Sequence, residues 1–158
     1  MLLDREDVTP NTADKNGRTP LSWAAGNKRA EIVRVFLKRG DVALNAADKE
    51  GRAPPHRAAM RGNEGIVRAL LEREDVTPNT ATKEGRTPLS LAASSGNGGS
   101  VERLLKREDV TLNAPDKHGR TPLSWAATSG SERAAEVLLK LGDVTPNTAD
   151  NDGQIPLL

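Results

Sequence analysis

The apolar positions of this chain fall in short clusters that come back at a constant spacing. Leu21, Ala24 and Ala25 occupy one face of a first helix. After a break near Asn27-Lys28, the set Ile32, Val33, Phe36 and Leu37 forms the apolar stripe of a second. That second stripe returns as Ile66, Val67, Leu70 and Leu71, then as Val101, Leu104 and Leu105, and then as Ala135, Leu138 and Leu139. The pattern predicts an all-α chain built from pairs of short helices.

The polar positions keep the same beat. Gly17-Arg18-Thr19-Pro20-Leu21-Ser22-Trp23-Ala24-Ala25 recurs as Gly51-Arg52-Ala53-Pro54-Pro55-His56-Arg57-Ala58-Ala59, as Gly85-Arg86-Thr87-Pro88-Leu89-Ser90-Leu91-Ala92-Ala93 and as Gly119-Arg120-Thr121-Pro122-Leu123-Ser124-Trp125-Ala126-Ala127. A last copy starts at Gly153, so the step is 34 residues throughout. The chain, 1–158, therefore divides into repeats 14–47, 48–81, 82–115 and 116–149. It begins with the end of a repeat, 1–13, and finishes with the start of another, 150–158. Neither terminus has the look of a polar cap.

Local chemistry explains the frame. Thr19, Thr87 and Thr121 are placed to cap the first helix by accepting a backbone N–H. Pro20, Pro88 and Pro122 suit the first helical position, where no donor is needed. Leu21, Leu89 and Leu123 then point to the core. Gly40, Glu74, Glu108 and Gly142 are expected to close the second helix, ahead of a loop rich in Asn and Asp. Helices of two to three turns are marginal alone, so each pair must bury its face against the next, as in a solenoid.

The recurring T-P-L-[HS]-x-A-A motif resembles the ankyrin repeat over practically the whole chain. The resemblance implies a helical solenoid with hairpin-like finger loops at Asp14-Lys15-Asn16-Gly17 and its equivalents. Partners of that family usually lie along the fingers and the concave face of the first helices. The usual His survives only as His56, being Ser22, Ser90 and Ser124 elsewhere, so the bond it makes between fingers is expected to be weaker or remade. The repeat is one residue longer than the family's, which should alter finger shape and leave stacking alone. In the second repeat Ala53 cannot cap and Pro55 stands where Leu should pack, which marks it as the soft point. The wording R-T-P-L-S-W-A-A further resembles near-identical arrays at the ends of large fungal multidomain proteins.

Composition narrows the rest. With one Phe and no Tyr, the core must be Leu, Val and Ala. The absence of Cys removes disulfides and thiolate metal sites. A net charge of +1 advertises no polyanionic partner. No stretch has signal-peptide or membrane-span character, so an intracellular setting, cytoplasmic or nuclear, is expected.

Nucleotide-binding loops are missing, and Ser22, Ser90 and Ser124 have no base beside them, so no cofactor and no enzymatic role are expected. Basic columns remain: Arg18, Arg52, Arg86 and Arg120, and beside them Lys15, Lys49, Lys83 and Lys117. Alternating Asp and the scarcity of aromatics argue against nucleic acid. The variable finger positions Asn16, Glu50, Glu84 and His118, with these columns and Arg57, are the candidate contacts for a protein partner. Trp23, Leu91 and Trp125 share one column and either pack between repeats or anchor an interface. The expected function is a non-catalytic protein-binding module. The alternative is a spacer or self-associating array that stacks end to end.

Overall fold

The computed structural model of the protein describes residues 9–156. Eight α-helices are found among them: α1 (Pro20–Gly26), α2 (Ala30–Leu37), α3 (Pro54–Met60), α4 (Glu64–Leu71), α5 (Pro88–Ser94), α6 (Gly98–Leu104), α7 (Pro122–Thr128) and α8 (Glu132–Leu139). No strand occurs among the described residues. The odd-numbered helices pack in series, α1 on α3 on α5 on α7, and the even-numbered ones do the same beside them. This two-layer stack is the all-α repeat solenoid that the spacing predicts.

The helix starts follow from the local sequence. Thr19, Thr87 and Thr121 each accept the backbone N–H of the serine three residues on, at 3.2, 3.2 and 3.3 Å. Pro20, Pro88 and Pro122 begin the three helices. Leu21, Leu89 and Leu123 are buried, as are Ala25, Ala59 and Ala93, whose small side chains let neighbouring helices close up. α3 starts without a capping side chain at Ala53; instead His56 Nδ1 accepts the Ala53 N–H at 3.1 Å.

The second helices bury Val33, Phe36, Ile66, Val67, Leu70, Val101, Leu104 and Leu138 in one continuous core. Two stripe residues depart from expectation: Ile32 is 42% exposed and Leu139 45%. The physical reason is their place in the stack. The equivalents of Ile32, namely Ile66, Ser100 and Ala134, are covered, and α2 has no described second helix before it. Of the equivalents of Leu139, Leu71 is buried and Leu37 and Leu105 are half-buried, and α8 has no described second helix after it. Of the end fragments 1–13 and 150–158, residues 1–8 and 157–158 lie outside the described residues.

Helix ends also differ from the reading. The second helices stop at Leu37, Leu71, Leu104 and Leu139, short of Gly40, Glu74, Glu108 and Gly142. Gly40 and Gly142 are not in the left-handed conformation that closes many helices. Arginine shapes the exit instead: Arg73 forks onto the Asp75 carboxylate at 3.0 and 2.8 Å, and Arg107 onto Asp109 at 2.8 and 2.6 Å. Arg107 Nη1 also donates to the carbonyls of Leu71, Arg73 and Val76.

An asparagine ladder then ties each pair to the next. Asn45 donates to the Asp75 carbonyl and accepts the Thr77 N–H, at 2.6 and 2.9 Å. Asn79 does the same with Asp109 and Thr111, and Asn113 with Asp143 and Thr145. The loop that carries the additional residue thus takes part in stacking.

Candidate functional site

The fingers are built from a side-chain oxygen and a glycine, the oxygen belonging to a carboxylate in all but the third, where Thr82 supplies it. In the first, the Asp14 carbonyl accepts the Gly17 N–H at 2.8 Å, and Asp14 Oδ1 accepts the N–H groups of Asn16 and Arg18 at 2.8 and 2.9 Å. These bonds, led by that from the Arg18 backbone, hold the Asp14 carboxyl down to about 2. Asp48, Asp116 and Asp150 repeat the arrangement. Gly17, Gly51, Gly85 and Gly119 have φ of +78 to +79°, which the tight return requires. Adjacent fingers are joined by one backbone bond each: Lys49 N–H to Asn16, Lys83 to Glu50, and Lys117 to Glu84, at 2.9, 3.0 and 3.0 Å.

This lattice fixes where the candidate contacts stand. Lys15, Asn16, Lys49, Glu50, Lys83, Glu84, Lys117 and His118 are all exposed along one row of finger tips. The four lysines form no ion pair among the described residues. Between the first two fingers, Asn16, Arg18, Lys49, Glu50 and Arg52 line a recess of about 260 Å³.

The arginine column behaves differently. Arg18, Arg52, Arg86 and Arg120 are half-buried. Arg18 pairs with Asp14 at 3.0 Å, Arg52 with Asp48 at 3.1 Å and Arg120 with Asp150 at 3.4 Å. Three of the four guanidinium groups lie over indole rings: Arg18 over Trp23 at 4.2 Å, and Arg86 and Arg120 over Trp125 at 4.0 and 5.1 Å. Each indole N–H is taken by an aspartate, Trp23 by Asp14 and Trp125 by Asp116, at 3.1 and 3.0 Å. Trp23 is 42% exposed and Trp125 half-buried, whereas Leu91 is buried.

Arg57 has to be corrected as a candidate contact. It is 7% exposed, with its guanidinium donating to the Ser22 carbonyl at 3.1 Å and paired with Asp48 at 3.5 Å. That leaves it part of the packing between α1 and α3. Its pKa is lowered, first by burial and then by the charge of Arg52.

The serines and the surviving histidine diverge as well. His56 is fully buried, and its Nε2–H donates to the Thr80 carbonyl at 2.8 Å, near the start of the third finger. Burial pushes its pKa down to about 4. Ser90 and Ser124 bond only to their own capping threonines, and Ser22 Oγ has no partner. Among the described residues no three His, Asp or Glu side chains gather as a metal-binding group. No described helix is long and apolar enough to cross a membrane.

Short helix pairs, a register of finger turns and a surface of separate polar columns define a helical-repeat scaffold. A family model described as ankyrin repeats (3 copies) matches residues 1–81 and again 74–150. The chain belongs to the ankyrin-repeat family, and with it comes the general protein–protein interaction role of a non-catalytic scaffold. No curated protein matches the chain.

Proposed function

We propose that the chain is an interaction module that meets a protein partner along its finger tips and the concave face of its first helices. The observation that carries this reading is the contrast within each finger. The frame of Gly turn and backbone bonds is the same from finger to finger, started by Asp14, Asp48 and Asp116 and in the third finger by Thr82, while the exposed tip residues Asn16, Glu50, Glu84 and His118 differ. A surface held this rigidly needs little ordering on binding. The reading takes 14–47, 48–81, 82–115 and 116–149 as the repeats, an intracellular setting, and no nucleic acid. Its wording R-T-P-L-S-W-A-A supports a kinship with fungal arrays.

Photo-crosslinking residues placed at Asn16, Glu84 or His118, and for comparison at Arg34 or Arg68 on the second helices, test it. Discrete protein adducts from the finger positions are expected. Adducts only from the second-helix positions would refute it. A second reading, end-to-end stacking of the array, is favoured by the exposed Ile32 and Leu139. It requires the solution mass to grow with concentration, and a constant monomer mass rules it out.

A further inference from the structure

The four finger arginines hold equivalent positions without having equivalent partners. Arg18, Arg52 and Arg120 each have a carboxylate within 3.4 Å. In the third finger the aspartate position is occupied by Thr82. Its Oγ1 accepts the Arg86 backbone N–H at 3.1 Å, as an aspartate oxygen would, but there is no second oxygen for the guanidinium. Arg86 Nη2 donates to Ser94 Oγ, while Arg86 Nε is buried with no acceptor. Asp116 favours the cation through its charge without pairing with it, and its Oδ2 is taken by the Trp125 indole. The guanidinium is thus a half-buried cation without an ion-pair partner, set over Trp125 at 4.0 Å.

We infer that Arg86 is the docking point for a carboxylate side chain on an acidic segment of the protein partner. The exposed, unpaired Lys83 and Lys117 of this finger and the next supply attraction for further acidic residues of the same segment. The contact with the indole and the bond from Nη2 to Ser94 hold the guanidinium before a ligand arrives, and with Nε buried it is Nη1 that meets the carboxylate, so little order is lost on binding. Charge-assisted bonds of this kind are about twice as strong as neutral ones. The inference rests on the interaction-module reading and gives it a partner chemistry.

Hexaglutamate, with hexalysine at matched ionic strength as the control, is the probe. Trp125 emission is the readout, in a Trp23→Phe background that leaves a single indole. Two variants carry the test. Thr82→Asp gives Arg86 the internal partner that Asp48 gives Arg52, and Arg86→Gln removes the charge. A saturable response to hexaglutamate is expected, weaker by about tenfold or more in both variants, with the melting temperature of Thr82→Asp maintained or raised. Equal affinity in Thr82→Asp, or no saturation by about 10 mM, overturns the inference. An equal affinity leaves the finger-surface reading standing, whereas missing finger crosslinks remove that reading whatever the peptide does.

Discussion

His56 makes the stability of the array depend on pH in a window where few other groups titrate. Its ring is fully buried, accepting from Ala53 N–H and donating to the Thr80 carbonyl, so both nitrogens are committed in the neutral form. Burial sets its pKa at about 4, against 6.5 for the ordinary imidazole. The unfolded chain therefore binds the proton more readily than the native one. The stabilising contribution is complete above pH 6.5 and is lost as pH falls toward 4. At about 1.36 kcal/mol per pH unit the full loss is about 3 kcal/mol, and about 2 kcal/mol is gone at about pH 5. The finger carboxylates Asp14, Asp48 and Asp150 have pKa values below the ordinary 3.8, so their losses come at still lower pH. Urea unfolding followed by circular dichroism, at about pH 7.5 and about pH 5, measures the difference. Wild type should lose about 2 kcal/mol between them, and His56→Ser, which installs the residue of the other repeats, should lose little. Equal losses in the two proteins would refute the argument.

Three further substitutions probe the frame. Gly51→Ala puts a Cβ 2.8 Å from the Lys83 backbone nitrogen and 3.0 Å from Thr82 Cα, at a φ of +78°. The strain and the opened finger bond should cost about 2 kcal/mol, read as a melting temperature lower by about 4–8 °C. Asn79→Ala removes the bonds to Asp109 and Thr111 at 2.5 and 2.8 Å. Because they are solvent-exposed, the loss should be about 1 kcal/mol in chemical denaturation. Pro55→Leu restores the residue that is buried at Leu21, Leu89 and Leu123 and should raise the melting temperature by a few degrees, about 1 kcal/mol. An unchanged or lower value would refute the view that Pro55 packs worse than Leu.

The fold was legible because its causes are local and repeated. A threonine that caps, a proline that starts a helix and a leucine that packs act within a few residues, and the constant step carries them along the chain. Side-chain bonds between repeats were not legible. Asn45, Asn79 and Asn113 recur at the common step, but their partners lie 30 and 32 residues ahead. Nothing nearby in sequence announces such partners. Similarly, the lysines and the arginines of a finger looked alike as basic columns. Only the geometry separates exposed tips from guanidinium groups folded back onto indoles.

The second repeat departs from the other copies at its borders as well as within itself. Within itself it lost the capping threonine and a core leucine, yet at its borders it gained two tethers. His56 reaches Thr80, and Arg57 reaches back to the Ser22 carbonyl, Asp48 and the face of Trp23. Gly26 makes room for Arg57: a Cβ there would stand 2.9 Å from Arg57 Nε and make the guanidinium shift. The other first helices that reach this column carry Met60, Ser94 and Thr128. Two outliers in neighbouring repeats thus complement each other. The stability of a solenoid depends on its interfaces as much as on its units, so these bonds act against the internal losses. Arg57→Leu, which copies Leu91, separates the two accounts. If the repeat were simply a degraded copy, the change would stabilise it. The geometry requires the opposite, a loss of about 2 kcal/mol, because the Ser22 carbonyl and the buried Asp48 lose a donor while Arg52 still holds Asp48. A gain in urea midpoint on Arg57→Leu would show that the polar tether contributes nothing to the coupling of the first two repeats.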